Sequence, residues 1–519
     1  MKVLVVTAQL AADVVKQQVK SSNVDCDVLV LPRPVAALLN TSYIARKLKE
    51  EAVRRYDMIL LPGLCFGDLD VVEKAVGVPV YKGPKYAADL PAVLNLVGSV
   101  TLSKTVPACE LLSNMLRVEA ETYIRKREEE VLKAGGDGGR IKVGGLSVGY
   151  GLPMRVMAEI VDAPLLNEEE ILKRANYFIS SGADIIDVGM VARESRPEDA
   201  GRIVKLLKRH IDKPVSIDTL DVNECKEAVK AGVDLILSFD RSTLEEAPTF
   251  AKDVPSVIIP SHTEAGYFPK EPEERVKALR ENLHLAKSLG MNKLIADPIT
   301  DVLITPGLVQ SLVAHYLFRK EEPYMPLFMG LANVSELLDA DSIGVNALLA
   351  GLAMELGASI VLATEASVKT RGAVRELSKA CKMMYLAHCR GSVPKDLGLD
   401  LLVLKEKKLR DDPLIRVGER CGRVQADGKE SVYMDQMGSF KIAVDRENSK
   451  IVVYHYPRSL NEVDVIIYGK EASKIIKKII DLGLISRLDH AAYLGRELQK
   501  AEIALKIGKG YIQDSELFQ

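Results

Sequence analysis

Four apolar runs, KVLVVTA, DVLVLP, DMILLPG and VPVYKG, alternate with segments of helical periodicity through residues 1–134. Runs that stay apolar, without a polar residue at every second position, belong to strands covered on both faces. Strand alternating with helix then predicts an open α/β domain, flavodoxin- or Rossmann-like, with a mostly parallel sheet. The charged helical pattern AETYIRKREEEVLKA ends this section, and GGDGG (135–139) punctuates the chain after it.

A second rhythm occupies residues 141–395. Helical patterns stop at Gly182, Gly232, Gly290 and Gly357, and each stop leads at once into a strand: GADIIDVG, GVDLILSF, GMNKLIAD and GASIVLAT. Glycine just past a helix end is the common stop signal. Between these units lie four further strand candidates, RVMAEIV, KPVSID, PSVIIP and YMPLFMG. Eight β/α units over this length predict a (β/α)8 TIM barrel; the alternative is a doubly wound open sheet. The run GVNALLAGLAMELGASIVLA (344–363) has the length of a membrane span, but Glu355 and Gly357 interrupt it. It reads as a helix, a stop and a strand. From residue 400 to 519 the pattern changes again. KEKKLRDDP is charged and loop-like, FKIAVDRENSKIVVYHY reads as a hairpin, VDVIIYG as a third strand, and two amphipathic helices follow. These predict a small C-terminal α+β domain.

Composition narrows the function classes. A chain of 519 residues is too long for one core. The net charge of −2, the absence of a basic block, 5% aromatics and no tryptophan argue against nucleic acid as a partner. Seven cysteines without a CxxC pair fit a reducing compartment. The N-terminal MKVLVVTAQLAADVV has the outline of a leader, but Asp13 and the lack of a cleavage site favour a first strand and helix. The expectation is a cytoplasmic protein without a membrane span. LPGLCFGDLD reads as a tight turn or an anion cradle and matches no nicotinamide-binding motif.

In a barrel of this type, chemistry collects where strands end. Taken in order, the predicted ends carry Asp162, Asp187, Asp218, Ser238, His262, Asp297, Asn333, and Thr364 with Glu365. Any one of the aspartates reads equally as a turn or helix cap, and Asp221 in DVNE reads as a capping box alone. Four aspartates on one rim repel, and a partner must offset their charge: a polyamine, a metal or a nitrogen-rich heterocycle. One histidine and no HxH pair disfavour zinc, whereas magnesium through one or two carboxylates and a phosphate stays open. Arg193 and Arg196 read as solvated loop charges or anion ligands, and His262 as a loop residue or a proton-transfer group. Cys381 and Cys389, on a helical stretch, read as core.

GADIIDVG followed by SRP, KPVSIDT and the ADP of residues 296–298 resemble successive motifs of dihydropteroate synthases and the wider pterin-binding barrel family. PMRVMAEIVDAP, PKDLGLDLLVLKEK and DHAAYLGRELQKAE resemble the archaeal dihydropteroate synthase-related proteins, which join an N-terminal α/β domain, a pterin barrel and a small C-terminal domain. The resemblance implies a reduced pterin as substrate or ligand. Asp218 and Asp297 would hold its 2-amino-4-oxo edge, where a carboxylate accepts paired N–H donors. Asp187 would orient the loop or ring substituent, and Ser238 and Asn333 would complete the pterin contacts. Asn333 matches the asparagine of GLSNVS in pterin-dependent methyltransferases.

The implied activity joins a 6-hydroxymethyl-dihydropterin diphosphate to an arylamine in tetrahydromethanopterin or modified-folate biosynthesis, with a homodimer as the expected assembly. The chain departs from the synthase pattern at the anion end. Val161 and Asp162 stand where an asparagine is usual, and Leu237 and Ser238 where an Asn-Asp pair is. MGLAN lacks the lysine of the seventh strand, and IVLATEAS lacks the Arg-x-His of the eighth. Arg193, Arg196 and a magnesium ion at Asp162 are the remaining route to neutralise a diphosphate. Two alternatives are kept. One is a one-carbon transferase, for which Glu159 supplies the expected first-strand glutamate but no DxHxxG cobalamin motif exists. The other is a non-catalytic pterin carrier or sensor.

Overall fold

The structure, a computed structural model, describes residues 1–134, 139–407, 424–426, 433–459 and 462–518. Residues 135–138 of the glycine-rich punctuation, the KLRDDP end of the charged loop and Cys421 lie outside them. The chain divides into two compact units, Met1–Val417 and Gly418–Gln519.

The first unit begins with a parallel sheet of four strands, Lys2–Ala8, Asp25–Leu31, Met58–Leu61 and Val80–Lys82, ordered second, first, third, fourth. Successive residues of a strand face opposite sides. Leu4, Val6, Ile59 and Leu61 pack with Ile44, Leu48 and Val72 on one face, and Val3, Val5 and Leu60 with Val15, Val93 and Leu112 on the other. Both faces of the two central strands are buried, which is why KVLVVTA and MILL are almost wholly apolar.

Eight parallel strands then form the barrel: Arg155–Ile160, Ile185–Gly189, Val215–Asp218, Leu235–Phe239, Ser256–Ile258, Leu294–Ala296, Phe328–Met329 and Ile360–Ala363. The eighth pairs with the first, and the gap between sixth and seventh is bridged where Ala296 N–H donates to Pro326 O at 2.9 Å. Outward residues such as Val156, Ile186, Ile217 and Val361 meet the surrounding helices, while Met157, Ile185, Leu235, Val257, Ile295 and Ile360 fill the interior.

A short hairpin, Ile141–Val143 with Leu146–Val148, precedes the first strand. Its Val143 and Val148 are fully buried in the same interior cluster. Gly144 of its turn lies against Pro214 and Asp234, so the hairpin plugs the end of the barrel where the strands begin. Arg155, at the base of the first strand, donates to Ser147 O at 3.0 Å and pairs with Glu128 of the long helix Ala108–Lys133. Hairpin, helix and strand are thereby tied together.

The glycine stops fall where the sequence places them. Gly182 ends the helix Glu168–Ser181 with φ 101°, and a Cβ there would lie 2.4 Å from Ser378 Oγ. The apolar run at 344–363 is divided between the helix Ser342–Glu355 and the eighth strand. No helix among the described residues is long and apolar enough to cross a membrane.

In the second unit, Ser439–Asp445, Lys450–Tyr456 and Val465–Gly469 form an antiparallel sheet, and the helices Ala472–Asp481 and Leu488–Ile507 share its core through Ile475, Leu494 and Leu498. Its buried carboxylate, Asp435, accepts bonds from Met437 N–H, Ser486 N–H and Oγ, Arg487 N–H and His490 Nδ1. Burial pushes this carboxyl up, but the donors from Ser486, Met437 and His490 outweigh it and hold it well below the usual carboxylate range. His490 is thus a structural partner within this unit.

Candidate functional site

The alternation that turns Met157, Ile185 and Ile295 into the barrel also turns Glu159, Asp187 and Asp297 the same way, one pleat further along each strand. Pairing sets their heights: Glu159 lies beside Asp187, Asp187 beside Ser216, Gly189 beside Asp218, and Asp218 beside Leu237. Glu159, Asp187 and Asp218 each place a carboxylate oxygen within 4.8 Å of the others. Gly189 makes this approach possible, because a Cβ there would lie 2.3 Å from Glu159 Oε1.

Asp187 is 0% exposed. Its Oδ1 accepts from Ser216 Oγ at 2.6 Å, and its Oδ2 has no hydrogen-bond partner among the described residues. Asp218 accepts from Ser238 Oγ at 3.1 Å. Ser238 takes a left-handed backbone, φ 73°, beside a register shift between the fourth and fifth strands, so strained backbone presents the hydroxyl to Asp218.

The electrostatics follow from burial and from carboxylates crowded together. Burial, then the charges of Asp218 and Glu159, hold the Asp187 carboxyl well above its ordinary value. Burial, then Asp218, Asp162 and Glu336, push Glu159 up to about 7. Burial also raises Asp218, against the Ser238 bond. Asp297 is pushed up to about 7 by burial, against the Ile299 N–H and the charge of Arg275.

Raised carboxyls make folding less favourable as they ionise. Between the unfolded value near 4 and a folded value near 7 the native state holds protons that the unfolded chain has released, so stability falls as pH rises through this window. Asp297→Asn removes one such group. Thermal unfolding from pH 4.5 to 8 should show a shallower decline in the variant, with a gain on the order of 2 kcal/mol at neutral pH. Parallel wild-type and variant curves would refute this account.

Asp297 follows the sixth strand, and its Oδ1 accepts Ile299 N–H at 2.7 Å. Asn333, exposed on the short helix Ala332–Ser335, donates Nδ2 to Thr300 O at 2.8 Å and braces the same loop. Beneath it lies Arg275, 3% exposed, which donates to Asp301 Oδ2 at 2.7 Å, Ile299 O at 3.0 Å, and Pro269 O and Ser311 Oγ at 3.3 Å. This buried clamp has no signature in the sequence: PEERVKALREN reads as an ordinary charged helix.

The other predicted residues stand elsewhere on the rim. Asp162 is exposed with φ 49°, outside the cluster of three, though its charge reaches Glu159. Arg193 is exposed, with φ 67°. The Arg196 guanidinium pairs with Glu194 at 2.7 Å and Asp199 at 3.5 Å. His262 sits in a loop turn whose backbone bonds reciprocally to Tyr267. Thr364 Oγ1 donates to Glu336 at 2.9 Å, and Glu365 accepts from Tyr177 and from Val374 N–H.

The expected capping box at Asp221 is half formed. Asp221 caps its helix by accepting Asn223 and Glu224 N–H. Glu224 does not complete a box; it is buried and accepts instead from Arg196 N–H at 2.7 Å and from Thr219 Oγ1. It therefore joins the loops after the second and third strands.

Comparison with known proteins agrees with this architecture in three places. A model of pterin-binding enzymes matches residues 161–366, a family of unknown function (DUF6513) matches residues 1–85, and PterinBD-DUF4346 matches residues 434–514. Uncharacterized protein MJ0107 of Methanocaldococcus jannaschii is 39% identical over 529 residues, covering 100% of this chain and 99% of that protein. Dihydropteroate synthase of Clostridium beijerinckii is 26% identical over 185 residues, 32% of this chain and 65% of that enzyme. A solved dihydropteroate synthase from Xanthomonas albilineans, in complex with 7,8-dihydropteroate, matches with a TM-score of 0.39 and 20% identity over 49% of this chain and 99% of that one. The chain belongs to one family with the Methanocaldococcus jannaschii protein, and its own barrel, residues 161–366, is a pterin-binding domain of the dihydropteroate synthase-like kind.

Proposed function

We propose that the barrel mouth binds a reduced pterin and that the protein is a dihydropteroate synthase-like transferase, acting in the cytoplasm in tetrahydromethanopterin or modified-folate biosynthesis. One observation carries this reading: Asp218 and Asp297 close the third and sixth strands of one barrel, each with one oxygen engaged by a local donor, Ser238 or Ile299 N–H. A carboxylate has about four acceptor sites, so each keeps capacity for the 2-amino and ring N–H groups of a pterin. Ser238 fixes the rotamer of Asp218, Asn333 braces the loop that carries Asp297, and the fully buried Asp187 lies one pleat beneath Asp218.

In the proposed reaction the exocyclic C–O bond to diphosphate breaks as the arylamine nitrogen bonds to the same carbon, and the amine gives up a proton. Arg193 and Arg196, with magnesium at Asp162, are assigned to the departing diphosphate, whose growing charge needs a cation. His262 is assigned to the proton. The test is diphosphate release from 6-hydroxymethyl-7,8-dihydropterin diphosphate in the presence of 4-aminobenzoate. Release that depends on the amine supports the transferase; tight pterin binding without release refutes it. The second outcome describes a pterin carrier, a reading favoured by the engagement of the Arg196 guanidinium with Glu194 and Asp199.

A further inference from the structure

We propose that Glu159, Asp187 and Asp218 form a divalent-cation site at the floor of the barrel mouth, taking magnesium or manganese through oxygen ligands alone. Three neighbouring strands, held in register, bring one oxygen of each residue within 4.8 Å of the others. Ligands on opposite sides of one magnesium ion, at about 2.1 Å each, stand about 4.2 Å apart, so small side-chain rotations close the set.

A second observation points to a ligand independently of the clustering. Asp187 is 0% exposed, and its Oδ2 has no partner among the described residues although Ser216 satisfies Oδ1. A buried carboxylate oxygen left unpaired costs about 1–3 kcal/mol or more, and no hydrogen bond among the described residues reaches this one. The charges acting on Glu159 and Asp187 come from other carboxylates. Gly189 keeps the space beside Glu159 clear.

The donor set selects the ion. It consists of hard oxygens without cysteine or histidine, which suits magnesium and manganese and disfavours zinc. The site is distinct from the rim position of Asp162, which is exposed and outside the three. Asp218 belongs to both this site and the proposed pterin floor, but the cation site requires no pterin.

The test is Mn2+ titration of the chelator-treated full chain, with free Mn2+ read by electron paramagnetic resonance. In the absence of diphosphate one Mn2+ per chain is expected, with affinity falling at least tenfold in Glu159→Gln and in Asp187→Asn. Mn2+ should also raise the unfolding temperature of the wild type, a readout that needs no variant. No binding and no thermal shift at millimolar Mn2+ overturns the proposal. So does binding whose affinity is unchanged in both Glu159→Gln and Asp187→Asn. Pterin titration with chelator present keeps the two readings apart: a pterin bound without any Mn2+ site overturns the cation alone.

Discussion

The Asp218→Asn variant should lose at least about 100-fold in affinity for a reduced pterin while keeping its fold. Each hydrogen bond to an ionised carboxylate contributes about 1.5–3 kcal/mol, and the pterin edge presents two donors. The amide removes the charge and turns an NH2 group toward those donors, so one bond is lost and the other weakened. The fold survives because the amide oxygen of the variant side chain can still accept from Ser238 Oγ, the partner of Asp218 in the native protein. Loss of a charge that raises Asp187 and Glu159 also relieves repulsion. Isothermal titration with dihydro and tetrahydro forms, chelator present, is the measurement; the chain has no tryptophan for quenching. Affinity within threefold of the wild type would remove Asp218 from the pterin floor.

The largest effect on stability is expected at Arg275. Arg275→Met keeps most of the apolar stem but deletes the guanidinium that pairs with Asp301 and bonds Ile299 O and Pro269 O. Removing one partner of a buried ion pair costs about 3–5 kcal/mol, because the other charge is left uncompensated. Urea unfolding of the barrel should register that loss. Arg275→Met/Asp301→Asn should recover part of it by removing the stranded carboxylate. Arg275 also holds Asp297 down against burial, so its removal should weaken pterin binding at neutral pH through a carboxyl that ionises less readily. A change below about 1 kcal/mol would mean that Ser311 and Asn333 suffice to hold this loop.

What could be read from the sequence was whatever repeats along a strand or helix. Apolar runs announced both parallel sheets, and glycine stops such as Gly182 marked the barrel period. Asp187, Asp218 and Asp297 were visible because each follows an apolar run directly. Glu159 obeys the same alternation two residues beyond Met157, yet its sequence setting suggested only a methyltransferase-like glutamate; its place beside Asp187 is fixed by strand pairing. The hairpin at 141–148 escaped notice because strands of three residues are too short to show a period. Arg275 could not be read at all, since its partners converge on it only after folding. Glu224 shows the converse. Its spacing from Asp221 spells a capping box, but Thr219 and the Arg196 backbone take its carboxylate.

The hairpin has a kinetic consequence. With Val143 and Val148 seated among the interior side chains at one end, the barrel is a vessel with a single door. Whatever lies deepest against Asp187 and Asp218 must arrive first and depart last, and a second molecule must wait above it. A ligand held there blocks the next arrival until it leaves by the way it came, so under the proposed transferase reading the product should compete with the first ligand for the site.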